Sequence, residues 1–203
     1  MSLGGFAEAL ASHSATPGGG CASALSGALA ASLVAMVART TIGEKFPDRS
    51  AEMGQIAADG DRLRDELLDL VDEDAAAFDR VMDAFRLPKE TPEEQDARSA
   101  AIQDAYRGAT DPPLRVSRLS VRVLELARAV AEQGNPNAVS DAGVAALLAA
   151  TSLEGGALNV RINLGSIKDE ELRSDRERDV NEAQTRGREL LGQVQAAVRD
   201  GLS

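Results

Sequence analysis

Aromatic side chains are scarce in this chain: four Phe, one Tyr and no Trp in 203 residues. A core of that kind has to be built from Ala, Leu and Val, which favours helices drawn close together over stacked aromatic layers. Cys21 is the single cysteine, so an intramolecular disulfide is excluded, and a reducing, cytoplasmic setting is expected. One cysteine and one histidine, His13, are too few for a zinc site or a histidine-bearing di-iron site. Positive charge is short as well: 22 Lys and Arg face 33 Asp and Glu, a net charge of −11. No basic cluster interleaves with aromatics, so nucleic acid is not an expected partner, and an anionic ligand would need a local group of cations. No basic stretch leads into an apolar one, so no signal peptide is expected. Without a repeat, a low-complexity linker or a compositional break, residues 1–203 read as one domain.

What is present reads as helix. Hydrophobic residues make up 43% and charged residues 27%, the balance of a soluble globular chain. From Gly18 to Val37 there is no charge, but Gly, Ala and Ser dominate. A lipid-facing helix wants about twenty residues of larger apolar side chains, so this segment reads as the buried central helix of a bundle, and no membrane is expected as a partner. A short amphipathic helix precedes it, from about Leu3 to Ser12. A long amphipathic helix follows, from about Ser50 to Phe85, and ends before Leu87-Pro88. Thr91-Pro92-Glu93-Glu94 starts the next, with Thr91 as cap, Pro92 in first position and two acids facing the helix dipole. Asp111-Pro112-Pro113 opens another, which ends near Gly134. Asn135-Pro136 opens a second almost uncharged helix, through about Leu158. Asn159 to Lys168 reads as a connector, and a charged helix from about Asp169 to Asp200 closes the sequence. The expected fold is all-α, an antiparallel bundle of about six to seven helices around two uncharged central ones.

Three patterns carry chemistry. Leu63, Leu67, Leu70, Asp74, Phe78, Val81 and Phe85 follow steps of three and four on one helix face, so Asp74 fills a slot meant for an apolar side chain. A carboxylate there loses hydration and its pKa rises unless a cation compensates, which poises it for proton transfer near neutral pH; pairing with an arginine would make it structural instead. Pro17-Gly18-Gly19-Gly20 enters the first central helix. Its bare backbone lets a ligand come close, and the N–H groups at the helix start suit an anionic or electron-rich atom; close helix packing is the alternative. The spacing fits neither a Rossmann fingerprint nor a Walker loop. The run from Gly134 to Gly143 places Asn135, Ser140 and Asp141 at the start of the second uncharged helix, and Asn159 and Asn163 flank Arg161 beyond its end. Such polar groups are aimed at each other or at a ligand, although Asp141 also suits the helix dipole. Arg39, Lys45 and Arg98 are possible sources of local positive charge. His13 reads as a surface side chain and Cys21 as a small packed thiol without a histidine partner.

Taken in order, these stretches resemble the cyclodeaminase/cyclohydrolase family. The resemblance rests on Thr16-Pro17-Gly18-Gly19-Gly20, Met36 to Thr40, Asp74-Ala75-Ala76-Ala77-Phe78, Leu87-Pro88-Lys89 with Thr91 to Glu94, Gly134-Asn135 to Ser140-Asp141, and Asn159 to Leu164. It spans nearly the whole chain, without the transferase part of the fused members. It implies an all-helical homodimer with a folate site near the subunit interface. Asp74 is implied as the catalytic residue, and the glycine loop, Pro17, Gly18, Gly19 and Gly20, with Asp141 as site elements; Lys45, Asn135, Ser140, Asn159 and Asn163, singled out from the residue patterns, complete the expected substrate contacts. The implied substrate is a one-carbon derivative of tetrahydrofolate, with no cofactor held permanently and no metal. Methenyltetrahydrofolate cyclohydrolase is the first expectation, because the transferase part is missing. Formiminotetrahydrofolate cyclodeaminase is the alternative, and a non-catalytic folate-binding or oligomerisation bundle the second.

Overall fold

A computed structural model describes residues 1–43 and 45–203. Seven α-helices account for most of them: α1 (Leu3–Leu10), α2 (Gly19–Thr41), α3 (Ser50–Arg86), α4 (Pro92–Ala109), α5 (Asp111–Gln133), α6 (Val139–Leu164) and α7 (Glu170–Leu202). No strand occurs among the described residues. The all-α expectation holds, and so does the placing of two nearly uncharged helices, α2 and α6, at the centre. α2 packs mainly on α3 and α6, and α5 packs mainly on α6 and α7.

α2 and α6 run antiparallel. Ser26 donates to the Leu148 carbonyl at 2.9 Å, and at the far end the Asn135 N–H donates to Thr41 Oγ1 at 2.8 Å. Both helices are buried largely through small residues: Ala24, Gly27, Ala28, Ala31, Ala35 and Ala38 on α2, and Ala142, Ala145, Ala146, Ala149, Gly156 and Ala157 on α6. Larger side chains from α3, α5 and α7, among them Leu67, Leu70, Leu124 and Leu190, close the core around them. Both central helices have the length and hydropathy to cross a bilayer. In this fold, however, much of their surface is spent on neighbouring helices.

Local chemistry sets the ends as the sequence predicts at α4, where Thr91 and Glu94 form a reciprocal capping box and Pro92 occupies the first turn. At α6 the expectation is corrected. Asn159 to Leu164 is not a connector but the last turn and a half of the helix, because Val160 and Leu164 are buried against α5 and α7 side chains. The true connector runs only from Gly165 to Asp169, and Asp169 caps α7 by accepting from the Leu172 N–H.

The α5–α6 contact is tight enough to test. A Cβ at Gly156 would stand 2.8 Å from the Pro113 carbonyl and 2.5 Å from Ser117 Oγ. Gly156→Ala is expected to lower unfolding free energy by roughly 1–3 kcal/mol through overpacking, despite alanine's better helix propensity; urea denaturation measures it. An unchanged or raised midpoint would show that the helices part freely.

Candidate functional site

Asp74 sits midway along α3, at the point where that helix passes the start of α2. Upstream the predicted stripe is core: Leu63, Leu67 and Leu70 are buried. Downstream it is not fully covered, since Phe78 and Phe85 are 36% and 41% exposed. The stripe therefore changes character at Asp74, from core to the wall of a cleft. That cleft, about 510 Å³, is bounded by the Thr16–Gly20 loop, by Asp74, Phe78, Val81, Met82 and Phe85 of α3, by Tyr106 of α4, and by Asn159, Ile162 and Asn163 of α6. Three of the five aromatic side chains in the chain line it.

The carboxylate is half-buried and has no cation within 4 Å among the described residues, so the structural ion-pair alternative does not apply. Its partner is Cys21, whose Sγ lies 3.4 Å from Asp74 Oδ2 and 3.4 Å from the Val71 carbonyl. Burial raises the Asp74 pKa above the ordinary carboxylate value, while the Cys21 thiol and backbone N–H pull it the other way. The thiol is itself pushed up to about 11, by burial first and by the Asp74 charge. It stays protonated at neutral pH and acts as a donor, not a nucleophile.

The glycine loop explains how the carboxylate fits. A Cβ on Gly20 would fall within the Asp74 carboxylate, and a Cβ on Gly19 would lie 3.5 Å from Asn159 Nδ2. Gly18 caps α2 without a side chain, and the Thr16–Pro17 peptide bond is cis. Asn159 and Asn163 each give an amide nitrogen to a backbone carbonyl, of Gly155 at 2.8 Å and of Ala109 at 2.7 Å. Their carbonyl oxygens, with no donor among the described residues, are left to accept from a ligand.

Of the residues singled out in the sequence, Asp74, Gly18, Gly19, Gly20, Asn159 and Asn163 meet at this cleft, with Pro17 in the loop that bounds it. Lys45, Asn135, Ser140 and Asp141 do not. Asn135 caps the short turn before α6 and donates from its Nδ2 to the Thr40 carbonyl at 3.2 Å, at the other end of the bundle. Asp141 lies in the first turn of α6, roughly 27 Å of helix from Asn159. Lys45 is exposed beyond the far end of α2. Within one subunit the antiparallel run of α2 and α6 holds these four away. Sequence reasoning missed Tyr106, Met82, Ile162 and the Cys21–Asp74 contact. Tyr106 carries a signal as the only tyrosine, but the thiol contact joins residues 53 apart and leaves no local pattern.

Comparison with known proteins gives a consistent set. A family profile described as formiminotransferase-cyclodeaminase matches residues 2–182. A methenyltetrahydrofolate cyclohydrolase from Methylorubrum extorquens is 45% identical over 172 residues, covering 84% of this chain and 83% of its own. The mouse formimidoyltransferase-cyclodeaminase is 34% identical over 200 residues, 96% of this chain but 37% of that longer protein. Among solved structures, a formiminotetrahydrofolate cyclodeaminase from Thermotoga maritima superposes with a TM-score of 0.90 at 29% identity, covering 100% of this chain and 98% of its own.

The electrostatics of Asp74 are directly measurable. Its carboxyl carbon is expected to titrate above the ordinary carboxylate range, and higher still in Cys21→Ala, which removes a donor to the ionised form; carbon-13 NMR reads both. Because the folded pKa exceeds the unfolded one, the carboxyl group's contribution to stability is lost as pH rises through the folded value. Asp74→Asn is therefore expected to melt above the wild type at pH 7, with the gain disappearing below about pH 4. A gain that persists on acidification would contradict the desolvated carboxylate.

Proposed function

This chain belongs to the formiminotransferase-cyclodeaminase family, and from that membership and the cleft we propose that it is a 5,10-methenyltetrahydrofolate cyclohydrolase. The observation that carries the proposal is Asp74: a desolvated carboxylate with no cation within 4 Å among the described residues, at the floor of a cleft walled by aromatic side chains. The bridging carbon of the substrate lies between two nitrogens of an amidinium cation. A carboxylate lacking its own counter-ion is suited to hold that cation.

In the proposed reaction Asp74 takes a proton from water as the oxygen bonds to the bridging carbon, giving a neutral tetrahedral centre. Asp74 then returns the proton to N5 as the carbon–N5 bond breaks. The hydroxyl loses its proton to solvent and becomes the formyl carbonyl on N10. One water is consumed and one proton released. The protonated Cys21 keeps Oδ2 oriented, Phe78, Phe85 and Tyr106 offer faces to flat rings, and the Asn159 and Asn163 carbonyl oxygens accept N–H groups.

The cyclodeaminase reaction makes similar demands on the carboxylate, and the Thermotoga maritima structure favours keeping it as the second reading. The higher identity of the cyclohydrolase relative, 45% over 84% of this chain and 83% of its own, supports the first. Methenyl- and formimino-tetrahydrofolate, each offered to the purified protein with ammonia release as the discriminating signal, are expected to show methenyl hydrolysis. Asp74→Asn is expected to lower that turnover by roughly 10²–10⁴-fold in a folded protein. Wild-type turnover in this variant would remove Asp74 from the chemistry.

We further propose a homodimer built on α6. Val144, Leu147, Leu158 and Ile162 form an exposed apolar stripe along its outer face, Leu158 being 66% and Ile162 73% exposed. Ile162 also lines the cleft. A two-fold axis crossing α6 near Thr151 would set the helix antiparallel to its copy. That would bring the partner's Ser140 and Asp141 beside Ile162, at the mouth of the cleft, and gives these distant residues a role. Mixing and co-refolding the inactive Asp74→Asn with Asp141→Ala is then expected to restore about a quarter of wild-type activity, from the one native site in each mixed dimer. No recovery, or a monomer by sedimentation, would overturn the composite site.

A further inference from the structure

Sulfur is sparse in this chain, one cysteine and four methionines, and the fold treats these side chains differently. Cys21 and Met53 are buried. Met36 is half-buried and packs against the main core. Met1 is exposed ahead of α1 and does not bound the cleft. Met82 is 36% exposed and is one of the residues that line the cleft. It is therefore the one sulfur-bearing side chain among the described residues that is both open to solvent and part of the site.

Its place on α3 gives that exposure a consequence. Met82 comes four residues after Phe78 and three before Phe85, so the three side chains are neighbours on one helix face. Asp74 lies eight residues earlier, roughly 12 Å of helix, so a change at Met82 falls on the wall and not on the carboxylate. A thioether reacts with peroxides without first losing a proton, whereas a thiol reacts as its thiolate. Cys21, buried and with its pKa pushed up to about 11, holds little thiolate at neutral pH. An oxidant that reaches the site thus meets Met82 first. The sulfoxide that forms is polar and chiral. Among aromatic faces it calls for water or a donor where a flat ring would otherwise lie.

We propose that Met82 is a reversible oxidation site, converted by hydrogen peroxide to the sulfoxide, and that the oxidised cleft binds its substrate more weakly. The consequence for binding rests on the folate reading above. In the step itself a sulfur lone pair attacks one peroxide oxygen. The S–O bond forms as the O–O bond breaks, and the proton on the transferred oxygen passes to the other, which leaves as water. Sulfur is oxidised by two electrons and the peroxide is reduced by two. Methionine sulfoxide reductases return the thioether, one enzyme for each epimer.

The test exposes the full chain to a pulse of hydrogen peroxide and removes the excess with catalase before any folate is added. Peptide mass spectrometry then locates the added oxygen, and KM and kcat for methenyltetrahydrofolate are measured on the same sample. Met82 is expected to oxidise ahead of Met36 and Met53. KM is expected to rise roughly tenfold, the size of a polar group set against an apolar ligand, with kcat nearly kept. Reductases for both epimers, with dithiothreitol, are expected to bring KM back. Met82→Leu, compared with its own untreated activity, is expected to hold its KM through the same pulse, although Met1 is oxidised in it too. A KM that stays level while Met82 carries the oxygen overturns the proposal and leaves the folate reading intact. So does a rise of equal size in Met82→Leu, or an unmodified Met82 in protein whose Met36 is oxidised. Absence of turnover in the untreated protein overturns the folate reading, and this proposal with it.

Discussion

At Gly20 the first turn of α2 and the middle of α3 come so close that a methyl group would take the space of the Asp74 carboxylate. The rest of the site depends on that contact. It puts a carboxylate against the start of a helix, where a thiol and a backbone N–H face it. It keeps the group far enough from bulk water to raise its pKa, and it sets the floor of the cleft at the level of the aromatic wall. A side chain at Gly20 would force α2 and α3 apart or swing the carboxylate outward, and either movement would dissolve the arrangement.

The scarcity of aromatics gains meaning from their placement. Phe78, Phe85 and Tyr106 stand at the cleft, and Phe85 and Tyr106 meet edge to face with ring centroids 6.2 Å apart. The core is left to Ala, Val and Leu. Three of the five large flat side chains thus line one exposed cleft, while the interior is filled mostly by small groups that let helices approach. The same division explains why α3 carries Leu63, Leu67 and Leu70 before Asp74 and Phe78 and Phe85 after it: one helix face lines the core and then the cleft.

Much of this was legible in the sequence because local rules apply. The capping box at Thr91, the proline-marked starts of α4 and α5, and the four-and-three stripe of α3 are encoded by neighbours a few residues apart. Asp74 was found the same way, as a polar residue in an apolar slot. The end of α6 was not, because Asn159, Arg161 and Asn163 look like loop residues while tertiary burial of Val160 and Leu164 keeps them helical. The separation of Asp141 from the cleft was equally hidden, since it follows from the direction in which α6 lies on α2. Cys21 read as inert for want of a histidine. Its carboxylate partner is set by the α2–α3 crossing, which no short pattern reports.

The alanine-rich burial of α2 and α6 has a thermodynamic consequence of its own. Alanine has no rotamers to lose, so packing of this kind forms almost free of side-chain ordering entropy, whereas leucine packing would forfeit about 0.5–1 kcal/mol per residue. It also removes less apolar area from water, and hence should contribute less to the heat-capacity change on unfolding. The centre of this bundle gives up hydrophobic area and in return loses little side-chain entropy on folding, and its smaller heat-capacity change flattens the dependence of stability on temperature.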